Sequence, residues 1–413
     1  MTAFDNGTTF DGGRNTARTP ALGKDTLIDR QRRTILVLVA AMLLSTSLGS
    51  IHAFSVLLEP FERQLGASRA EIAFAYSLSL GALTLAVLIG HRIYRSTPPA
   101  VLAALTCIAA ACGLIISALA AHPSGLWLGY GLIFGFANGV GYGYALYMTN
   151  QAVERHRGLA MGSVTAIYAI GASGFAKLFE HWGGSVGSDG ALLRLSLTIL
   201  MFGAIATLCL WRAPIGTIAS DHSSTSVGQT SSLDRRRLGL CWLIYGSGVA
   251  AGLMAMGHAA GIVTAAGGTS TESVRGAVAI TFANALGGFG IGYLADRQPA
   301  PRLLIALGAA SASALLVLAI TDNASLILIS LAVVGFTYGS IIALFPIVTS
   351  LIFGRGNYAL AYGRTFTSWG LAGFVAPWLA GVLYGHTGGY GIALVIAALL
   401  AALSAGMSLF LTT

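Results

Sequence analysis

Two stretches of this 413-residue chain repeat each other: 135–163 reads GFANGVGYGYALYMTNQAVERHRGLAMGS, and 335–364 reads GFTYGSIIALFPIVTSLIFGRGNYALAYGR. At a constant offset of 200, identical residues recur at Gly135/Gly335, Phe136/Phe336, Gly139/Gly339, Thr149/Thr349 and Arg155/Arg355. Each copy predicts a glycine-rich apolar helix, a short loop that contains arginine, and a second apolar helix. A period near 200 in a chain of this length therefore predicts two similar halves that run in the same direction.

The composition predicts a membrane protein. Hydrophobic residues make up 55% of the chain, charged residues only 9%, and the mean hydropathy is +0.77. A soluble domain carries about 25% charged residues, so this chain lacks the groups to cover itself with a water-compatible surface. The four cysteines lie in apolar stretches without metal-ligand spacing, and we expect neither a metal site nor a cofactor.

We predict an all-α protein with twelve transmembrane helices in two parallel six-helix repeats, because each apolar stretch is near the roughly 20 residues that a bilayer requires. The predicted spans are 34–58, 71–93, 99–121, 125–151, 157–180, 191–212, 237–264, 273–294, 301–321, 324–352, 358–385 and 388–411. The corresponding domains are a disordered tail (1–33), a first half (34–212), a polar linker (213–236) and a second half (237–413).

The distribution of basic residues predicts the orientation. With the N-terminus in the cytosol, 17 of the 23 Lys and Arg residues fall on the cytosolic side. Both termini are then cytosolic, and we expect a multi-pass protein of the cytoplasmic (inner) membrane. The same asymmetry accounts for the net charge of +8 without a nucleic-acid partner.

The end of the eighth span carries a loop motif, Gly292-x-x-x-Asp296-Arg297. The matching segment after the second span keeps Gly90 but has Tyr94 in place of the aspartate. Together with the twelve spans and parallel halves, this motif resembles the major facilitator superfamily. The resemblance implies secondary transport by alternating access, with an inner gate at the loops; the residues assigned to it are Gly292, Asp296, Arg297, Arg92, Arg155 and Arg355.

A finer resemblance lies between the first two spans. Residues 49–61 read GSIHAFSVLLEPF and 65–69 read LGASR, which is similar to the oxalate:formate antiporter and monocarboxylate transporter branch. The Arg-Gly-Leu-Ala-x-Gly entry to span five, 157–162, is similar too. This resemblance implies a small organic anion as substrate.

Ionisable and amide side chains inside a bilayer are candidate site residues, because burying them is costly. Arg364 lies six residues into span eleven, where its guanidinium is suited to clamp a carboxylate; the alternative is an arginine that reaches the headgroups. His52 in span one and His258 at a comparable place in span seven form a candidate ligand cradle; the alternative is hydrogen bonding to neighbouring helices.

Spans one, four, seven and ten line the central cavity in the superfamily that the chain resembles, which adds Asn138, Tyr142 and Tyr338 to the candidates. Asn284 in span eight and Trp369 in span eleven complete the predicted binding set.

The sequence also departs from the monocarboxylate branch. That branch carries an arginine in span eight, often with an aspartate one turn earlier, whereas Gly288 and Asn284 stand there. No carboxylate falls in mid-membrane, so proton coupling would fall to His52, His258 or the substrate itself. Arg364 replaces the missing cation, or the substrate is not a simple carboxylate.

The hypothesis is a monomeric secondary transporter of a small organic mono- or dicarboxylate, with protons as a further candidate partner. One alternative is an exporter of a larger, partly apolar compound, favoured by the missing charges. Another is a membrane sensor or scaffold that binds a ligand without transport. An enzyme is not expected, because the sequence has no nucleophile–base pair, metal cluster or phosphate loop.

Overall fold

A computed structural model describes residues 24–213 and 233–411. In this part of the chain every regular element is a helix. The membrane-crossing segments are α1 (24–65), α2 Arg69–Ser96, α3 Pro99–Ala118, α4 (123–152), α5 Arg157–Gly183, α6 Ser185–Arg212, α7 (235–265), α8 Ser270–Ala295, α9 Ala300–Ile320, α10 (324–353), α11 (355–387) and α12 Gly391–Ser408.

Three of these segments are made of successive helical stretches. They are Lys24–Leu48, Gly49–Leu57 and Leu58–Leu65 in α1; Pro123–Leu126, Trp127–Phe134 and Gly135–Ala152 in α4; and Arg235–Met256 and Ala259–Ala265 in α7. Most of the predicted tail and linker lies outside the described residues. However, α1 already begins at Lys24, so residues 24–33, expected to be disordered, are helical.

The outer surface of the bundle is apolar. In the described residues, ten helices are long and apolar enough to cross a membrane. Large apolar side chains point outward along them, including Ile320 at 85% exposure and Phe374 at 68%. A water-soluble protein does not expose apolar surface on this scale. The chain is a multi-pass membrane protein.

The ten helices correspond to twelve crossings. The continuous helix Ala324–Thr387 has 64 residues, and at about 1.5 Å per residue it is roughly three times the thickness of a bilayer core. Its backbone turns at Gly354, where φ is 74°, which divides it into α10 and α11. With α4, whose three stretches together have the length of a span, the count reaches the predicted twelve.

Helix starts repeat with the same period as the sequence. Ser68 and Glu71 form a capping box at the start of α2, and Thr269 and Glu272 form the same box at the start of α8. Each pair satisfies backbone N–H groups that the helix itself leaves unpaired. The boxes lie 201 residues apart, so the two halves begin these helices with the same local chemistry.

The repeated glycines bring helices into close contact. A Cβ atom at Gly139 of α4 would collide with the backbone of Leu83 in α2, and one at Gly339 of α10 would collide with Asn284 in α8. The glycines one turn earlier in α4 and α10 do likewise. Close helix packing therefore explains why the repeat conserves its glycines within this chain.

An even number of crossings places the start of α1 and the end of α12 at the same end of the bundle, named the terminal face; the opposite end is the far face. At the terminal face the halves meet along two seams. In the α5–α8 seam Gly158 packs against Gly292, and in the α2–α11 seam Gly363 packs against Val87.

Candidate functional site

The first helix changes its winding where it carries His52. Residues Gly49–Leu57 form a tighter 3₁₀ helix. Two side chains of α4 hold this stretch: the amide of Asn138 donates to the carbonyl of Leu48, and the Tyr130 hydroxyl donates to the carbonyl of Ile51 at 2.8 Å. Both bonds are buried, so the position of the stretch is fixed from one side.

His52 faces aromatic side chains from three other helices. Its Nδ1 lies 2.8 Å from the hydroxyl of Tyr76 in α2. The ring packs edge-on against Tyr168 of α5 at 5.6 Å and against Trp369 of α11 at 6.5 Å between centroids. The contact with Tyr76 occupies one ring nitrogen, which leaves Nε2 for a ligand.

Asn138 positions the cluster and does not line its interior. Its side chain is fully buried, and its Oδ1 accepts a hydrogen bond of 2.8 Å from the Tyr168 hydroxyl. Tyr168 in turn packs against Tyr142 at 4.7 Å. Asn138 thus ties α1, α4 and α5 together behind the rings that surround His52.

One face of the first half of α11 is aromatic. Tyr358, Tyr362, Phe366 and Trp369 follow at helical spacing, with ring centroids 5.5, 5.5 and 4.9 Å apart between successive members. All four are at least 94% buried. The face joins the rings around His52 in one central cluster, in which Tyr338 lies beside the Trp369 indole and the ring of Tyr245 lies 6.5 Å from that of Phe366. We define the central cluster as His52, Tyr76, Tyr142, Tyr168, Tyr245, Tyr338, Tyr362, Phe366 and Trp369.

Several polar atoms of the central cluster are poorly satisfied. In the described part of the chain, the hydroxyls of Tyr245 and Tyr362 and the indole N–H of Trp369 are buried without a well-formed hydrogen bond. The hydroxyls of Tyr142 and Tyr245 both lie near that of Tyr362, so these groups converge. Buried polar groups are normally paired, and a converging set without good partners marks a place where a polar ligand fits.

Four predicted residues meet in this cluster. His52, Tyr142, Tyr338 and Trp369 come from α1, α4, α10 and α11, and all but His52 are at least 94% buried. Sequence reasoning missed Tyr76, Tyr168, Tyr245, Tyr362 and Phe366. The aromatic stripe on α11 was visible as a spacing of four, four and three residues, but Tyr76, Tyr168 and Tyr245 belong to no such stripe in their helices.

The structure does not bring Arg364 to the cluster, which corrects our leading candidate. Arg364 is exposed, whereas its neighbours Tyr362, Thr365 and Phe366 are buried. Successive residues of a helix are about 100° apart, so Arg364 and the two ring-bearing residues at ±2 lie on opposite sides of α11. Its guanidinium is directed to the outside of the bundle, in agreement with an arginine that reaches the headgroups.

His258 and Asn284 also lie elsewhere. His258 Nε2 lies 2.9 Å from the carbonyl oxygen of Pro377, and its Nδ1 lies 3.3 Å from the Tyr390 hydroxyl, so the ring is held between α7, α11 and the start of α12. Asn284 packs against Gly339 in the α8–α10 contact. Both positions fit a structural role, and the histidine pair predicted as a ligand cradle is not formed.

The terminal face is closed by polar contacts between the halves. Asp296 accepts hydrogen bonds from the backbone N–H groups of Gly158 and Leu159, at 2.7 and 3.0 Å, and so caps α5 from the other half. Arg355 donates to the carbonyl of Val153 at 3.0 Å, and Arg95 donates to that of Gly356 at 2.7 Å.

The predicted gate residues divide into two groups. Gly292, Asp296 and Arg355 lie in contacts between the halves, as described above. Arg297 stacks over the ring of Tyr293 at 3.5 Å, and Arg92 and Arg155 are exposed. Four residues of these contacts were not predicted from the sequence: Arg95, Arg157, Asn150 and Ser350. Asn150 and Ser350 are nevertheless polar at the same offset of 200.

The chain has the fold of major facilitator transporters. It aligns with the proton:xylose symporter XylE, solved with 6-bromo-6-deoxy-D-glucose, at a TM-score of 0.71 and 13% identity, over 91% of this chain and 95% of that one. It aligns with the transporter FucP, solved in an outward conformation, at a TM-score of 0.69 and 14% identity, over 92% of this chain and 99% of that one. At such identities the likeness concerns the fold alone.

Sequence relatives point the same way. The "Uncharacterized MFS-type transporter YhjX" of Escherichia coli (strain K12) is 23% identical over 350 residues, covering 83% of this chain and 86% of YhjX. "Monocarboxylate transporter 9" of Gallus gallus is 33% identical over 96 residues, covering 22% of this chain and 19% of that protein. No family model matches the sequence. These proteins are transporters, and the short second match gives limited support for the monocarboxylate branch.

Proposed function

We propose that the chain is a secondary transporter that carries a small organic acid across the cytoplasmic membrane together with a proton. The proposal includes a cytosolic terminal face, which the excess of basic residues there supports. The closed contacts at that face then correspond to a state that opens outward or is occluded, and transport requires the halves to rock about the central cluster.

One observation carries the substrate class. Among the side chains of the central cluster, all within the described residues 24–213 and 233–411, His52 alone can take up a proton to become a cation. The groups that face it are Tyr76 from α2, Tyr168 from α5 and Trp369 from α11. Its protonated imidazole would supply the cation that Arg364 does not. The remaining lining is rich in O–H and N–H donors without a carboxylate, and a carboxylate ligand accepts from such donors.

The test is counterflow of labelled small mono- and dicarboxylates in liposomes, with wild type, His52→Gln and the matched control His258→Gln, at pH 8 and pH 5.5. We expect exchange to increase as the pH falls, because a carboxylate bound beside His52 offsets the cost of burying the imidazolium, so that anion and proton bind together. His52→Gln should lower exchange about tenfold or more and remove the pH dependence, while His258→Gln keeps it. Exchange with an unchanged pH profile in His52→Gln contradicts the proposal.

A second candidate is an uncharged polyhydroxy solute. The ring faces of Phe366 and Trp369 and the uncharged hydroxyls nearby suit such a ligand. The likeness to XylE, described as a proton:xylose symporter, is compatible with it. Counterflow of labelled sugars in the same vesicles separates the two: sugar exchange without carboxylate exchange favours the second candidate. If neither class exchanges, the exporter and sensor alternatives move forward.

A further inference from the structure

Two equivalent residues of the repeat bond to each other beneath the terminal face. The hydroxyl of Ser350 in α10 donates to Oδ1 of Asn150 in α4 at 2.7 Å, and the two positions are 200 residues apart. Two parallel repeats of this kind are related by a pseudo-twofold axis. Equivalent residues that touch each other must therefore lie beside this axis. Asn150 is fully buried and Ser350 is 97% buried. The pair therefore closes the path between the halves on the terminal side of the central cluster.

Donor groups outnumber acceptors around this pair. Arg157, at the start of α5, donates from Nη1 to the Ser350 hydroxyl at 3.2 Å. In the described part of the chain, the amide nitrogen of Asn150 and the hydroxyl of Thr149 are buried without a partner. Thr349, the repeat equivalent of Thr149, donates to the carbonyl of Phe345, so the unpaired groups belong to the first half.

The charge balance of the same place is positive. The charged side chains that act on Arg157 are Arg355 and Asp296. The carboxylate of Asp296 already accepts from the N–H groups of Gly158 and Leu159. Arg157 thus lies near a second guanidinium and a single carboxylate whose oxygens are engaged, and the surplus of positive charge favours an anion.

We propose that Arg157, Asn150 and Ser350 form a second binding site, for a carboxylate, through which the substrate passes at the terminal face. When the halves part there, the Ser350–Asn150 bond breaks and Arg157 loses its hydroxyl acceptor. The guanidinium, the amide and the hydroxyl then share one acceptor-rich ligand, and a carboxylate matches their geometry. The site rests on the proposed function. It provides the permanent positive charge of Arg157, whereas the central cluster has only His52, which is charged when it is protonated.

The test compares Arg157→Gln and the conservative Arg157→Lys with the control Arg155→Gln, an exposed arginine two residues earlier. Counterflow is measured against substrate concentration from each face, in vesicles whose orientation is read from protease cleavage of an N-terminal tag. Arg157→Gln should raise the half-saturating concentration at the terminal face about tenfold, as expected for the loss of a charge-assisted hydrogen bond. The value at the far face should stay within about twofold, Arg157→Lys should recover part of the loss, and the control should match wild type.

Ser350→Ala provides a milder variant, with an expected rise of about threefold at the terminal face only. Equal changes at both faces, or no change in any of these variants, overturn the site. A wild type that exchanges no carboxylate contradicts the proposed function instead. In that case the midpoint of thermal unfolding is measured with and without the same carboxylates. A rise in the midpoint that is lost in Arg157→Gln but retained in His52→Gln supports the site, and no rise in wild type overturns it.

Discussion

The α5–α8 and α2–α11 seams both lie between the halves and are related by the repeat, because α5 corresponds to α11 and α8 to α2, yet they are held by different contacts. In the α5–α8 seam the carboxylate of Asp296 caps the backbone of α5 across the boundary. In the α2–α11 seam Tyr94 stands at the equivalent position and turns into its own half, where its hydroxyl donates to the carbonyl of Val140 at 3.4 Å. The neighbouring Arg95 reaches across instead, to the carbonyl of Gly356.

The difference shows that both seams depend on close backbone packing at glycines, whereas their charged contacts differ. Gly158 and Gly292 in one seam, and Gly363 in the other, allow backbones to approach where a Cβ atom would lie 2.6–2.7 Å from a carbonyl oxygen. Charge-assisted contacts are added to this packing in different ways. We therefore expect the two seams to differ in strength and in their dependence on salt, because the Asp296 contacts are partly exposed.

The largest effect is expected from Tyr94→Asp, which restores the aspartate to the first half. Tyr94 is 92% buried and packs against Tyr144 and Tyr147, each at 5.4 Å. A carboxylate there faces the Val140 carbonyl without a donor, and a buried unpaired charge costs several kcal/mol. The midpoint of thermal unfolding in detergent should fall strongly, and Tyr94→Phe, which keeps the ring, should stay close to wild type. A Tyr94→Asp protein as stable as wild type would show that the aromatic packing does not matter.

A smaller effect is expected from Asp296→Ala. The N–H groups of Gly158 and Leu159 lose their cap, and removal of a helix cap costs about 1–2 kcal/mol. The closed terminal face should lose population about tenfold relative to the open one. Spin labels at Arg92 and Arg302, in a variant without the native cysteines, report the distance between the halves. Asp322→Ala is the control, because Asp322 is an exposed carboxylate in the α9–α10 connection. Equal distance distributions in wild type and Asp296→Ala contradict the capping role.

The smallest effect is expected from Arg95→Gln, because an exposed contact of an arginine contributes about 0.2–1 kcal/mol. The same distance measurement should show a shift of no more than about threefold toward the open state. The control is Arg92→Gln, which removes a nearby exposed charge. Because Arg92 is then substituted, the spin label of the first half is attached to another exposed residue of the α2–α3 connection. An Arg95 effect as large as that of Asp296→Ala would make the two seams equivalent.

The periodicity of the sequence predicts the fold well, because span length and repeated glycines follow from bilayer thickness and helix contact. The twelve crossings and the close glycine packing came from such patterns, whereas Asp296 was named from the resemblance of its loop motif. Predicted helix ends were less accurate at α1, which continues from Lys24 through a tighter stretch to Leu65. No local sequence pattern predicts this change to a 3₁₀ helix, because the α4 side chains that hold the stretch are about 80–90 residues away in the chain.

The site was harder to predict than the fold. Arg364 was favoured because a charge within a span is rare, yet depth along a helix says nothing about which side of the helix a residue occupies. The buried neighbours Tyr362 and Phe366 would have settled its direction, had the aromatic stripe been followed along α11. Tyr76 and Tyr168 were inaccessible to sequence reasoning, because only the three-dimensional crossing of α1, α2 and α5 makes them neighbours of His52.

The paired capping boxes have a consequence for how the chain is made. The capping bonds between Ser68 and Glu71, and between Thr269 and Glu272, each lie within a four-residue segment. These bonds need no partner from the other half, so each half carries its own instructions for where α2 and α8 begin. As synthesis proceeds from the N-terminus, the start of α2 is specified before the second half exists, whereas the cap of α5 is completed only once Asp296 of the second half has been made.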